Sequence, residues 1–296
     1  MSNRPLYARF YKCDLHMHTP LDPCWRDEST RLRHDDPEER KREVARLYLK
    51  ACHEVGLEII AITDHNFAPS PEQSFLSWLS AENALLAQEV GRSPLVIFPG
   101  FEIQCKVGRG GHMLCLFNPE TDLQVIHDKL AGCGLPGGKR FVNGQPQPAD
   151  IDLPSLLNLI QGNPIEQERP ASDIGIVIAA HPDRDKGMLA LQTAEHWWRI
   201  REFQNEHLRA VEIPKIPGNL TGWLRCVLNN EDEGYKRKQK IGWVMSSDCY
   251  SIAPLRVPNT TNELEATDGE GCEVVLEQSR PEAIHALLVE VQQARV

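Results

Sequence analysis

CDLHMHT, residues 13–19, is the stretch whose reading decides this chain. Cys13, Leu15 and Met17 make an apolar strand, and His16 and His18 stand two positions apart within it and at its end. In extended backbone, residues i and i+2 point to one face, so the two rings converge on one point, an arrangement that favours a metal ion. A strand over Cys13–Met17 with its chemistry at its end is the first expectation.

Working outward, apolar runs alternate with amphipathic helical stretches, the pattern of βα units around a parallel sheet or barrel. The charged stretch from Arg26 to Arg42 leads into a helix with Val44, Leu47, Tyr48, Ala51 and Val55 on one face, stopped by Gly56. LEIIAIT (57–63) reads as a buried strand. A helix carrying Phe75, Trp78, Leu79 and Leu86 follows Pro69 and Pro71, and Gly91 closes it. LVIFPGFEI (95–103), MLCLF (113–117), IGIVIAA (174–180), 210–213 and 241–245 bring the strand candidates to about seven. The Gly- and Pro-rich segment 132–150 reads as an inserted loop or lid, and 273–294 as a closing strand and helix with a capping pattern at Ser279–Glu282.

One α/β domain over all 296 residues, a normal size for a barrel, is the economical reading, and 41% hydrophobic content supports a sizeable core. The net charge of −10 argues against nucleic-acid binding through general basicity, though not against a local basic groove. Lys236, Arg237, Lys238, Lys240 and Arg140 would supply such a groove if they flank the site, with Phe141, Trp197, Trp198 and Trp223 as stacking surfaces; otherwise they are solvated faces and core aromatics. Nine cysteines, an odd number, with no charged start leading into an apolar segment, suggest a reduced, cytoplasmic protein. No run of eighteen apolar residues suggests a membrane span.

Further polar residues close the apolar runs: Asp64-His65, Glu102, His112, His181 and Asp248. In an α/β barrel those edges meet at one mouth. Each residue alone reads as structural, but recurrence at nearly every strand end does not. Imidazole and carboxylate together suit zinc, manganese or iron, and Glu102 can bridge two ions through its two oxygens. His34, His53, His127, His196, His207 and His285 lack this setting and read as solvated or structural.

DLHMHT, AITDHN, PGFE, GGHMLCLF, AAHPDR and SSD, in this order from Lys12 to Asp248, resemble the motif series of the PHP (polymerase and histidinol phosphatase) superfamily. The resemblance implies a distorted (β/α)7 barrel and hydrolysis of phosphoesters by water activated within a cluster of two or three metal ions. It assigns one ion to His16, His18, Glu102 and Asp248, a second to Glu102, His112 and His181, and a third to His65. ITDHNF and GGHMLCLFNP are also similar to PHP domains joined to ATPases in the TrlF-like, genome-defence group, which implies a nuclease or phosphodiesterase and a separately encoded ATPase partner. A small-molecule phosphomonoesterase, a module that has lost catalysis, and a related amidohydrolase are the alternatives.

Two positions depart from the resemblance. Trinuclear members carry histidines where this chain has Cys24 and Tyr250. Cys24 is either a thiolate ligand for a softer ion or a packing residue, and Tyr250 either a weak ligand or a substrate contact. Asp64 is the expected orienter or proton acceptor, ionised beside metals. Arg184, and as a second choice Arg256, are expected to hold a substrate phosphate.

Overall fold

The structure, a computed structural model, describes residues 11–106, 110–162, 174–184, 186–190, 196–213 and 220–252. Its strands are β1 (Cys13–Met17), β2 (Ile59–Ile62), β3 (Val96–Cys105), β4 (Gly111–Phe117), β5 (Phe141–Val142), β6 (Gln145–Pro146), β7 (Gly175–Ala179), β8 (Ala210–Ile213) and β9 (Gly242–Met245). Seven of them make one sheet in the order β1-β2-β3-β4-β7-β8-β9, while β5 and β6 pair separately. The sheet nearly closes into a barrel. Met17 bridges Cys249, and the His18 amide donates to the Cys249 carbonyl at 3.2 Å, which joins the first strand to the segment after the last.

The all-parallel expectation fails at one strand. β4 runs antiparallel to both β3 and β7. Only residues 106–110 separate β3 from β4, too few for a crossover, so the chain turns straight back. As a result the start of β4, with His112, lies at the mouth beside the ends of the parallel strands.

The helices are α1 (Glu38–Glu54), α2 (Leu76–Glu89), α3 (Leu123–Gly132), α4 (Leu153–Gln161), α5 (His196–Phe203) and α6 (Gly222–Leu228). α1 buries Val44, Tyr48 and Ala51, and Gly56 with φ 79° carries the chain out of it, a conformation glycine adopts without a Cβ clash. Inside the barrel Cys13, Leu15, Ile59, Ala61, Phe98, Leu114 and Ile178 form one apolar cluster. Ile60, Ile62, Phe101, Met113 and Val211, on the opposite strand faces, join the helices in a larger one. Burial on both faces explains why these strands read as continuous apolar runs.

β1 contains an irregularity that decides the site. Cys13 pairs with Ile59 and Asp14 with Ile60, but Met17 pairs with Ile62, so three steps on β1 match two on β2. Regular alternation from Cys13 and Leu15 would send Met17 inward and turn His16 and His18 toward the helices. The extra residue resets the phase: Met17 packs in the outer cluster, and the two histidines face the mouth. Asp14, fully buried, accepts the amides of His16 at 3.3 Å and Ser247 at 3.1 Å, tying the bulge to the segment after β9.

The segment 132–150 is more ordered than a loop. It carries a 3₁₀ turn over Gly137–Lys139 and the β5–β6 hairpin, all gathered around Arg140. Arg140 is 1% exposed and donates to the carbonyls of Ala68, Leu135 and His127 and to His127 Nδ1, while the Asn66 amide donates to the Arg140 and Gln147 carbonyls at 2.8 Å. Arg237 is buried likewise, donating to the carbonyls of Phe203, Leu208 and Gln239. Neither arginine can therefore line a nucleic-acid groove. The expected closing strand and helix at 273–294 lie outside the described residues. No helix among the described residues is long and apolar enough to cross a membrane, and the eight described cysteines are free thiols.

Candidate metal centre

Each strand delivers its polar residue as the apolar run ends. His16 and His18 come from the bulged β1, Glu102 from β3, His112 from the start of β4, and His181 and Asp248 from just after β7 and β9. His65 follows β2 and bridges to Glu102 through backbone. The turns are held in unusual backbone: His181 has φ 26° and Asp248 φ 51°, in the sparsely populated region where functional residues concentrate.

The ligand atoms stand at regular spacings. His16 Nε2 lies 3.3 Å from Glu102 Oε2 and 3.4 Å from Asp248 Oδ1, and His18 Nε2 lies 3.5 Å from each of the same two oxygens. Donors held about 2.0–2.1 Å from a tetrahedral ion stand about 3.3 Å from one another. Glu102 turns its other oxygen, Oε1, to His112 Nδ1 and to His181 Nε2, the latter at 3.4 Å. His65 Nε2 reaches Glu102 Oε2 at 3.2 Å. One carboxylate thus faces two groups of imidazoles with its two oxygens.

These atoms are also polar groups without partners. His18 Nε2, Glu102 Oε1, His112 Nδ1 and Asp248 Oδ1 are buried and make no hydrogen bond. Such orphans are costly in a folded chain, and a cation held between them removes the cost. His16, His18 and Asp248, then Glu102, His112 and His181, and then His18, His65 and Glu102 each bring their ligand atoms close enough together to hold a metal ion. The chemistry of the donor set therefore fits a metal.

The electrostatics agree. Burial opposes protonation of His16, yet Glu212, Asp248 and Glu102 outweigh it and hold its pKa well above the usual imidazole range. His18 is likewise raised to about 10, against burial, chiefly by Asp22. Despite burial, the imidazoles hold Asp248 down at about 2 and Glu102 well below the carboxylate range. A field that favours a proton on buried imidazole favours any cation there.

Two carboxylates that the sequence reading missed orient the rings. Glu212 Oε2 accepts from His16 Nδ1 at 3.0 Å and from the His181 amide at 3.0 Å. Asp22 Oδ2 meets His18 Nδ1 and His65 Nδ1 at 3.1 Å each and accepts the His65 amide at 2.8 Å. Both partners leave Nε2 of these rings facing Glu102, the arrangement in which a carboxylate fixes a ligating histidine. Glu212 carried a signal, a lone carboxylate inside the apolar strand AVEI; Asp22, in a Pro-flanked turn, carried none.

Asp64 does not orient these rings. It accepts the Thr19 amide and hydroxyl at 2.6 Å each, and burial together with Asp22 pushes its pKa up to about 7. Tyr250 stacks on His18 with centroids 4.3 Å apart, and the Arg26 guanidinium lies over the Tyr250 ring at 4.9 Å, a contact the sequence did not announce. Burial and Asp248 raise the Tyr250 phenol, which keeps it protonated. Cys24 is exposed, but its sulfur shares a cluster with Asp22 and His65, and burial of the thiol with Asp22 nearby raises it to about 11. Arg184 is exposed on the turn after His181. Arg256 lies outside the described residues.

No protein-family model and no curated protein matches the chain. Among solved structures it is similar to a provisionally named metal-dependent phosphoesterase from Bifidobacterium adolescentis, at 12% identity over 94% of this chain and 95% of that one, with a TM-score of 0.42. PsfC from Pseudomonas syringae is similar at 13% identity over 96% and 98% of the two chains, also with a TM-score of 0.42. An amidase from Nesterenkonia sp. follows at 11% identity, 81% and 78% coverage and a TM-score of 0.25.

Proposed function

We propose that the chain is a metal-dependent phosphoester hydrolase. The observation that carries this reading is Glu102, whose two oxygens face two sets of buried imidazoles. His16, His18, Glu102 and Asp248 would hold one ion, Glu102, His112 and His181 a second, and His65, with Cys24 beside it, is the candidate for a third. Zinc, manganese and iron all suit this donor set. Divalent ions held there would acidify water and neutralise charge on phosphoryl oxygens.

The chain's own residues do the rest. Glu212 and Asp22 keep the imidazoles in one tautomer and orientation. Asp64, held by the Thr19 amide and hydroxyl and lining the approach to the centre, is placed to take up and release the proton of attacking water. Tyr250, protonated and stacked over His18, offers a hydroxyl at the mouth, and Arg26 and Arg184 are exposed cations for a substrate phosphate. The preference for a diester over a monoester rests on the resemblance that ITDHNF and GGHMLCLFNP carry.

Elemental analysis of the purified chain, joined to a hydrolysis screen over phosphomonoesters, phosphodiesters, DNA and RNA, tests the reading. At least about one tightly held transition ion per chain is expected, with diester hydrolysis abolished in His16→Ala. A chain that retains less than this, or hydrolyses none of these esters when metal is supplied, overturns it.

A further inference from the structure

Beside the centre lies a cavity of about 230 Å³. Asp22, Asp64 and His65 line its inner end, so it opens onto the same space as the candidate ligands. Elsewhere its wall is largely apolar and aromatic, with Phe67, Phe75, Phe141 and Pro69. Phe67 and Phe75 are 3% and 2% exposed, so their ring positions are set by packing.

Charge decides what cannot enter. Among the described residues no lysine or arginine lines the cavity, and its inner end carries two carboxylates. A phosphate seated there would find no compensating charge, so the cavity suits an uncharged part of the substrate. Polar groups decide what can. Gln73 and His34 stand among the apolar residues, and burial together with nearby Lys41 holds the His34 pKa below its usual value, so the imidazole is neutral at neutral pH. An amide and a neutral imidazole each offer a donor and an acceptor, which an alkyl group cannot use and a heteroaromatic edge can.

Size and rigidity narrow the occupant further. Pockets for drug-sized ligands run from about 300 to 1,000 Å³, so this smaller one admits a single ring system rather than a chain. Phe141 is brought to it by the hairpin that follows Arg140, and the Arg140 hydrogen bonds to Ala68 and Leu135 hold that hairpin against the 66–69 turn. The segment 132–150 is thus a built wall, and the ring it presents is ordered in advance.

We propose that this cavity is a nucleobase subsite, which seats the uncharged heteroaromatic ring of the ester's organic part while the phosphate faces the imidazole–carboxylate centre. The inference rests on the phosphoester reading above for the second half of that statement. Its first half is tested without turnover, by titrating the full chain with adenosine and with cytidine and following ligand-observed NMR, with ribose as the control.

Saturable binding of a nucleoside and none of ribose is expected, weakened about tenfold in Phe141→Ala, within the range for losing one base–aromatic stack. Val142→Ala, on the outward, 52% exposed neighbour, is the control and leaves binding unchanged. With a nucleotide ester as substrate, Phe141→Ala raises KM and leaves kcat in place. Absence of saturable nucleoside binding in the millimolar range, or equal effects of the two substitutions, overturns the proposal. Nucleoside binding without hydrolysis of any ester upholds the subsite and removes the phosphoester reading; hydrolysis without nucleoside binding does the reverse.

Discussion

Two regions bury polar groups in opposite ways. Around Arg140 the buried guanidinium spends its donors on the carbonyls of Ala68, Leu135 and His127 and on His127 Nδ1. At the barrel mouth His18 Nε2, Glu102 Oε1, His112 Nδ1 and Asp248 Oδ1 are equally buried and have no hydrogen-bond partner. Both regions were formed at the cost of desolvating polar atoms, but only the first recovers that cost within the chain. The difference separates scaffold from site: a closed network rigidifies, and an open one awaits a ligand.

Substitutions can break this comparison. The largest effect is expected from Glu102→Ala, which removes the carboxylate shared by both groups of imidazoles. Hydrolysis should fall about a thousandfold, ~4 kcal/mol of barrier, with transition-metal content lost alongside and the circular dichroism spectrum kept. Unchanged metal content would mean that the open network serves no ion.

Arg140→Met is the matching test of the closed network. It strands several buried acceptors and should lower stability by about 3 kcal/mol in urea unfolding, with metal content undiminished. A parallel loss of metal would erase the distinction between the two regions.

A smaller effect is expected from Glu212→Gln, which keeps the shape of the side chain beside His16 but weakens its acceptor. Metal affinity measured against a competing chelator should fall about 10–100-fold. An unchanged affinity would demote Glu212 to packing.

The smallest effect concerns pH. Burial and Arg140 hold His127 at about 4, below the usual 6.5. As pH falls the unfolded chain takes up the proton first, so the stability tied to neutral His127 is full above about pH 6.5 and is lost toward about pH 4. The urea midpoint should drop across that window, and His127→Gln should drop less; equal slopes would show that the Arg140 network does not depend on the neutral ring.

How legible this was follows from the same physics. β1, β8 and the seven strand-end residues gathered at the mouth could be read because apolar runs covered on both faces stop where the chain turns polar, as in IGIVIAAH and LEIIAITDH. The reversal of β4 could not, because MLCLF is equally apolar in either direction and the loop before it is simply short. Arg140 and Arg237 read as surface cations, since burial of an arginine depends on carbonyls far away in sequence. Asp22 and its two imidazoles are 4 and 43 positions apart, so nothing local marks the residue as their orienter.

The bulge in β1 also lets one short strand serve the core and the centre in consecutive residues, Leu15 and His16. Deleting Leu15 would leave a strand whose ladder with β2 runs more regularly than before, and whose composition is barely altered. Met17 would stay opposite Ile62 and both imidazoles would keep the mouth, so the loss would fall on the inner cluster that Leu15 helps to fill. With all its residues kept, the strand cannot run as a regular ladder, because Leu15 in the inner cluster and His16 and His18 at Glu102 and Asp248 are compatible only while β1 is one residue longer than the ladder needs.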